Sequence, residues 1–257
     1  MEPFIDSHVH FDVLLEREVA AVDWFVARRA RAISWAYAYE GVQSVSDLTK
    51  YYRRQCETFS SLRPTFEVHY LVGIHPRNLP ENLRPEQVGE LLEPWVLQPG
   101  CVGLGEIGID SENVREAEIF QAQLEWSAQL PETHILGVHT PRADKVSVTH
   151  QILELIKRHA PRPERVLVDH CILETLPDVL DTVGFAGISL SPNKSTVEEA
   201  VVMLLKYADQ CGRIMCNTDS AVEMYEPLLA LQGEARLSAA LRDQVMRKTA
   251  ETAFSLD

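Results

Sequence analysis

The sequence predicts a single-domain (β/α)8 barrel over residues 1–257. Eight short apolar runs alternate with longer amphipathic stretches, and this alternation is typical of βα units that form a parallel sheet. A chain of 257 residues also has the length of one such barrel. A doubly wound open sheet is the main competing fold, but no GxGxxG motif follows the first run, so the barrel is favoured.

The predicted strands are runs rich in β-branched and other apolar residues. In chain order they are PFIDSH (3–8), AISWAYAY (32–39), EVHYLVGIHP (67–76), CVGLGEIG (101–108), HILGVHT (134–140), RVLVDH (165–170), FAGISLSP (185–192) and RIMCNTDS (213–220). Helices are predicted between and after them, as in NVREAEIFQAQLEWSAQL (113–130), TVEEAVVMLLKYAD (196–209) and ARLSAALRDQVMRKTAETAF (235–254). Their apolar residues recur at spacings of three and four, as expected of helices packed on a sheet.

Composition narrows the class of protein. The formal net charge of −14 disfavours a stable nucleic-acid partner, because such partners are usually bound by clustered Lys and Arg. Neither a secretory signal nor an apolar run long enough to span a membrane is present. The five cysteines include no CxxC pair, which disfavours a disulfide framework. We therefore expect a cytoplasmic globular protein without a membrane partner; the sequence sets no oligomeric state.

Polar side chains cluster where the predicted strands end. In a barrel this end is the C-terminal face, where active sites lie. Glu106, His139 and His170 follow one another at intervals of 33 and 31 residues, about one βα unit each. We therefore expect these side chains to converge in space, together with Asp6, His8, His10, His75, Asp169 and Asp219.

The HVH sequence gives one physical reason to expect a metal site. Alternate residues of a strand point to the same side, so His8 and His10 can bind one cation together. Imidazole and carboxylate ligands suit Zn²⁺, Mn²⁺ or Fe²⁺, and Glu106 could bridge two ions. A single histidine is more often a core residue than a ligand, but polar side chains at the ends of six predicted strands are expected to converge here. Burying so many is costly unless they are paired or bind metal.

Several motifs together resemble one known family. IDSHVHFD, VGIHPR, GLGEIGID, GVHTP and VDHC are similar, in this order, to motifs of the TatD-like metal-dependent hydrolases of the amidohydrolase superfamily. The resemblance runs nearly end to end, and GEIG-D following HxH is its most specific part. It implies a (β/α)8 barrel that binds one or two divalent ions (Zn, Mn or Mg).

The resemblance also implies roles for individual residues. His8 and His10 would bind the first ion, Glu106 would bridge two ions, and His139 and His170 would bind the second. Asp219 would complete the first site and act as general base toward a metal-activated water. We expect substrate contacts from His75, Arg77 and Lys194, for which turns shaped by neighbouring prolines are the alternative explanation. Asp6 and Asp169 are expected to orient imidazoles, and the four tryptophans to pack in the core.

The sequence departs from the family pattern after the sixth strand. The eighth-strand motif is CNTDSAV, so Asn217 replaces the glutamate that usually precedes Thr-Asp. The resemblance implies hydrolysis of a phosphoester in a nucleic acid, as by a DNase, or in a small molecule. A small-molecule ester, amide or lactone is the alternative substrate. Two other classes stay open: a polymerase and histidinol phosphatase type of barrel, which usually lacks GEIG-D, and a non-catalytic metal-binding barrel.

Overall fold

The computed structural model describes residues 2–18, 20–39, 41–111, 113–222 and 225–256. Its eight strands are parallel and lie in chain order in one sheet. They are β1 (Ile5–Val9), β2 (Arg31–Ser34), β3 (Val68–Val72), β4 (Cys101–Gly108), β5 (Ile135–His139), β6 (Val166–Val168), β7 (Phe185–Ser189) and β8 (Ile214–Asn217).

The sheet closes on itself beside the first and last strands. The backbone N–H of Asp219 donates to the carbonyl of His8 at 2.8 Å, and that of His10 donates to the carbonyl of Ser220 at 2.8 Å. The chain is therefore a nearly closed, single-domain (β/α)8 barrel, and the open-sheet alternative is wrong. Closure also brings His8 and His10 next to Asp219, which follows them by more than 200 residues in the sequence. The nearby hydrogen bond from Ser7 to Cys216 spans 209 residues.

Helices cover the outside of the barrel. The third helix begins at a capping box in which Ser44 and Asp47 bond each other's backbone, and the eighth begins at an equivalent box of Thr196 and Glu199. The helices are α1 (Phe11–Arg17), α2 (Ala21–Ala27), α3 (Val45–Leu62), α4 (Val88–Val96), α5 (Val114–Trp126), α6 (Lys145–His159), α7 (Leu176–Thr182), α8 (Val197–Lys206), α9 (Glu226–Gln232), α10 (Ala239–Asp243) and α11 (Thr249–Ala253).

Buried side chains fill the interior of the barrel at the end opposite the C-terminal ends of the strands. Strand side chains such as Ile33, Trp35 and Leu71 form one buried cluster, and Phe254 closes it beyond α11. Space inside is so short that a Cβ on Gly137 would lie 2.7 Å from both Leu71 and Trp35. Since this end is packed, a ligand can reach the barrel only at the C-terminal ends of the strands.

All eight predicted strands are confirmed, but most of them end earlier than predicted. The largest difference is AISWAYAY, whose strand β2 ends at Ser34. Beyond it the backbone bonds elsewhere: Tyr37 N–H donates to the Tyr51 hydroxyl and Ala38 N–H to the Asn78 amide, both at 2.9 Å. Trp35 and Ala36 still donate to carbonyls of strand residues Val9 and Gly105. From Tyr37 onward side-chain acceptors replace the strand partners, and residues 35–39 form a loop at the mouth of the barrel.

Other expectations can be checked against side-chain positions. No helix in the described residues is long and apolar enough to cross a membrane. Trp35 is fully buried, and Trp24, Trp95 and Trp126 pack against the core, as predicted.

Candidate metal centre

The predicted ligands converge at the C-terminal end of the barrel. Three groups of side chains there could each hold a metal ion, because within each group the ligand atoms lie within 4.8 Å of one another. Every predicted ligand is buried except Asp219, whose side chain is 12% exposed. The groups are His8, His10, Glu106 and Asp219; His8, Asp169 and His170; and His75, Glu106 and His139.

Glu106 lies at the centre of these groups because β4 carries it into the barrel. Its Oε2 faces Nε2 of His8 at 3.5 Å and Nε2 of His10 at 3.9 Å. Its Oε1 lies 2.7 Å from Nδ1 of His139 and 3.5 Å from Nε2 of His170. Burial raises the pKa of a carboxyl group, but the imidazoles around Glu106 outweigh it and hold its pKa well below the ordinary value. The two oxygens of this carboxylate therefore face two different sets of imidazoles.

The hydrogen bonds of His8 and His10 leave Nε2 for a ligand. Nδ1 of His8 donates to Oδ2 of Asp169 at 2.5 Å, and Nδ1 of His10 donates to the carbonyl of Trp35 at 3.1 Å. A neutral imidazole with its proton on Nδ1 has its lone pair on Nε2. Both lone pairs point toward Glu106 and Asp219, which is the usual arrangement of metal-binding histidines.

His170 and His139 are oriented by different partners. Ser189 donates its hydroxyl proton to Asp169 at 3.3 Å, so its oxygen accepts from Nδ1 of His170 at 2.7 Å. Nε2 of His170 then carries the lone pair. Nε2 of His139 donates to Oδ1 of Asp110 at 3.0 Å, which leaves Nδ1 with the lone pair beside Glu106. In their neutral forms, these four imidazoles thus direct lone pairs toward one carboxylate.

The donor set fits a divalent cation. Nε2 of His8 and Nε2 of His170 are buried and have no hydrogen-bond partner in the described part of the chain. Buried polar atoms without partners are rare in folded proteins, and an ion that accepts their lone pairs would satisfy them. A mixture of imidazole nitrogens and carboxylate oxygens suits Zn²⁺ or Mn²⁺ and differs from the all-Cys/His set of a structural zinc site.

Asp219 faces the imidazoles with one oxygen and the cavity with the other. Its Oδ1 lies 3.4 Å from Nε2 of His8 and 3.3 Å from Nε2 of His10, while Oδ2 accepts from Lys194 at 2.9 Å. Burial would raise the pKa of Asp219, but His170 and Lys194 outweigh it and lower that pKa well below the ordinary value. Asp219 and His170 have φ values of 52° and 61°. Left-handed backbone at non-glycine residues is strained and is concentrated at functional sites.

Of the predicted substrate contacts, His75 is available as a donor and Arg77 is already paired. Nδ1 of His75 accepts from the backbone N–H of Arg77 at 3.0 Å, so its proton lies on Nε2. Burial lowers the pKa of His75 to about 4, which keeps it neutral. Arg77 donates from Nε and Nη2 to the two oxygens of Asp110, each at 2.7 Å. His75 can therefore donate to a substrate oxygen, whereas Arg77 mainly holds Asp110 against His139.

Asn217, which replaces the usual glutamate of the family motif, positions Asp169. Its side-chain amide donates to both oxygens of Asp169, at 3.1 and 3.0 Å. A glutamate here would place a second carboxylate against Asp169, where like charges repel. Asp169 orients His8 as expected, but Asp6 does not contact an imidazole through its carboxylate. Asp6 instead accepts from the backbone and hydroxyl of Thr218, at 3.0 and 2.6 Å, and so holds the segment before Asp219.

Comparison with known proteins decides the family. The model of the family described as TatD related DNase matches residues 5–251, a span that includes every residue of the three groups. The chain belongs to the TatD-related DNase family. It is therefore a metal-dependent hydrolase of the TatD type. No curated protein matches the chain significantly.

Solved structures agree on the barrel. A TatD-like protein from Archaeoglobus fulgidus is 22% identical, with a TM-score of 0.73, and the match covers 98% of this chain and 100% of that one. A TatD homologue from Escherichia coli is 17% identical, with a TM-score of 0.69 and coverage of 99% and 98%. An amidohydrolase from Mycoplasma synoviae is 11% identical, with a TM-score of 0.65 and coverage of 98% and 87%. These identities show a shared fold and no more.

Some residues of this TatD-type site were not predicted from sequence. Trp35 stacks on the imidazole of His8, with ring centroids 3.9 Å apart and planes 8° from parallel. Ser189 orients His170, and Lys145 donates to the backbone carbonyl of His170 at 2.8 Å. Asp110 could have been found, since it is the aspartate of the GEIG-D motif. A serine and a lysine far along the chain carry no comparable sequence signal.

Gly187 provides a test of how Asp169 is positioned. A Cβ at this residue would lie 2.1 Å from Oδ1 of Asp169, so Gly187→Ala must displace that carboxylate. We expect a loss of about 1–3 kcal/mol of stability from overpacking and roughly 10- to 100-fold weaker metal binding, because His8 loses its partner. Thermal unfolding and metal titration measure the two effects. Gly212→Ala, where nothing lies within 4 Å of the added Cβ, is the control and should change neither.

Protonation of His8 predicts how metal binding depends on pH. Burial alone would lower its pKa, but Glu106 and Asp169 outweigh burial and raise it to about 10. Below that pH the imidazole holds protons on both nitrogens, and a cation can bind Nε2 only after one proton leaves. We therefore expect binding near pH 8 to release about one proton and affinity to fall as pH is lowered. Calorimetry in two buffers with different ionisation enthalpies measures this release. Heats that do not depend on the buffer would contradict it.

Proposed function

We propose that this TatD-type hydrolase binds two divalent cations, Zn²⁺ or Mn²⁺, and hydrolyses a phosphoester. The observation that carries this proposal is the placement of Glu106, whose two oxygens face separate sets of imidazoles at 2.7–3.9 Å. In the proposal His8, His10, Glu106 and Asp219 would hold the first cation. His139 and His170 would hold the second, with Glu106 shared between the two. The whole of residues 1–257 acts as one hydrolase domain.

Each side chain at the cavity then has a defined task. The bound cations would supply Lewis acidity, which lowers the pKa of a water and polarises the bond to be cleaved. Asp219 accepts the proton of that water at Oδ2, the oxygen that faces the cavity. Its lowered pKa keeps it deprotonated, the form in which it can act as a base. Lys194, 2.9 Å from Oδ2, fixes the orientation of the carboxylate, and His75 donates from Nε2 to an oxygen of the substrate.

Cationic side chains support a phosphoester over a neutral ester, amide or lactone. Arg77, Arg142 and Lys194 all line the cavity that contains Glu106 and Asp219, although the chain as a whole carries a net charge of −14. Arg77 is paired with Asp110 and Lys194 with Asp219. Within the described residues, Arg142 is therefore the side chain of the three that offers an unpaired positive charge to an anionic substrate. A nucleic acid or a small molecule can supply the phosphoester. The five cysteines are unpaired, which supports a cytoplasmic location for this activity.

A metal-supplemented activity screen tests the proposed function. The protein is loaded with Mn²⁺ or Zn²⁺ and assayed on p-nitrophenyl phosphate, bis(p-nitrophenyl) phosphate, single-stranded DNA, p-nitrophenyl acetate and a lactone. We expect metal-dependent turnover of at least one phosphoester, in preference to the acetate and the lactone. Turnover confined to the acetate or the lactone would instead favour the amidohydrolase alternative. A protein that binds metal and hydrolyses none of them would favour the non-catalytic barrel.

A further inference from the structure

The cavity above Glu106 is small. Its volume is about 100 Å³, which is less than the roughly 150 Å³ of an enclosed cavity that binds benzene. This is room for one tetrahedral anion, such as a phosphoryl group, but not for a nucleotide as well. Whatever is attached to that group must therefore lie outside the cavity, at its mouth.

Some of the cationic side chains that line the cavity already form ion pairs, and one does not. Arg77 is engaged by both oxygens of Asp110 and Lys194 by Asp219. Arg142, on the loop after β5, is exposed and forms no ion pair or hydrogen bond within the residues that the structure describes. Arg142 is therefore the cation of this cavity that is free to pair with a ligand. Proteins that bind DNA commonly neutralise several phosphates at once, whereas this cavity offers one unpaired cation.

Three donors from three loops reach the same cavity. His75, after β3, presents its Nε2 proton; Arg142, after β5, presents its guanidinium; and Lys194, after β7, presents its ammonium group. A phosphate monoester has three terminal oxygens and two negative charges, so it can accept from all three donors. A diester has one terminal oxygen fewer and only one negative charge, so it offers these three donors fewer acceptors and less charge.

The mouth offers an aromatic surface for the rest of such a molecule. Tyr39 is 50% exposed, and its ring packs edge-on against Tyr37, with centroids 5.1 Å apart. The guanidinium of Arg17 lies 4.7 Å from the centroid of the Tyr39 ring. A planar organic group leaving the cavity can pack on this ring.

We propose that the substrate is a small-molecule phosphate monoester, whose phosphoryl group is held by Arg142, Lys194 and His75 and whose organic group packs on Tyr39. This inference rests on the proposed phosphoester hydrolysis and names its substrate class. It makes Arg142 a specificity-determining residue. The family name instead points to phosphodiesters in DNA, which this cavity serves poorly.

Equilibrium binding to the Mn²⁺-loaded protein tests this inference without turnover. The probes are phenylphosphonate, a non-hydrolysable dianion, its O-methyl ester, which is a monoanion, and a single-stranded DNA oligonucleotide. Calorimetry should show phenylphosphonate binding about 10-fold more tightly than the ester. Arg142→Ala should weaken phenylphosphonate binding by about 10-fold, and Arg142→Lys by less, because lysine keeps the charge without the planar fork.

Arg158→Ala is the matched control. Arg158 is on α6 with its side chain 68% exposed, paired with Glu154, and its replacement should leave binding unchanged. Equal binding of phosphonate and ester, tighter binding of the oligonucleotide, or an Arg142→Ala effect no larger than that of Arg158→Ala would each overturn the inference. Phosphoester turnover in the screen decides the proposed function separately. If the screen shows phosphoester turnover but the binding experiment shows a preference for the phosphonate methyl ester or the oligonucleotide, the proposed function stands and only the monoester inference fails.

Discussion

Replacement of Glu106 by glutamine is expected to abolish metal binding and hydrolysis together. Glu106 faces both sets of imidazoles, so one substitution removes an anionic oxygen from both proposed cation sites. A neutral amide is a much poorer ligand for a divalent ion than a carboxylate. We expect metal affinity to fall on the order of 100-fold or more, since even outer partners of metal ligands contribute 10- to 100-fold. Metal titration followed by a turnover assay measures both.

The control for this variant is Glu154→Gln. Glu154 is on α6, 53% exposed, and pairs with Lys157 and Arg158 far from the cavity. Its replacement should keep both metal content and turnover. If Glu106→Gln bound two ions with unchanged affinity while its thermal unfolding also stayed unchanged, Glu106 would not be the bridging ligand.

Replacement of Asp219 by asparagine is expected to cut turnover sharply while preserving the fold. The amide keeps the shape of the side chain but cannot accept a proton at the position of Oδ2. Loss of a general base costs on the order of 100-fold or more in kcat. The variant also loses the charge that pairs with Lys194 at 2.9 Å, so part of the effect can appear as weaker binding of the first cation.

Metal saturation separates the two roles of Asp219. If kcat of Asp219→Asn stays low when the metal concentration is raised until sites are full, the residue acts as base. If kcat recovers fully, Asp219 serves only as a ligand. Asp178→Asn, at an exposed carboxylate paired with His150, controls for the loss of one negative charge. Unchanged turnover in Asp219→Asn would remove Asp219 from both roles.

The barrel could be predicted from sequence because its signal is repeated. Eight apolar runs recur along the chain, and one misplaced end, such as that of AISWAYAY, does not change the fold. His8, Glu106, His139, His170 and Asp219 were also predictable as neighbours. Each follows or lies in a strand, and parallel strands bring their carboxyl ends to one face.

Partners chosen by loop geometry could not be predicted. The pairing of Arg77 with Asp110 spans 33 residues and that of His8 with Asp169 spans 161. Both depend on where a loop turns rather than on periodicity. The role of Asn217 was not predictable either. The sequence shows only that a glutamate is replaced, whereas the structure shows that the Asn217 amide donates to Asp169. The protonated nitrogen of each imidazole also could not be predicted from sequence. It is the nitrogen that donates to a nearby acceptor, and the other nitrogen is left to bind a ligand.

Removal and return of metal is the most direct measurement on the proposed centre. The protein is stripped with a chelator and titrated with Mn²⁺ while bound metal and hydrolysis of p-nitrophenyl phosphate are followed together. Circular dichroism confirms that the stripped barrel stays folded. We expect no turnover without metal and full recovery as about two ions bind per chain, as in carboxylate-bridged two-metal sites. Full turnover by the stripped protein, or recovery with no ion bound, would contradict a metal-dependent site at Glu106.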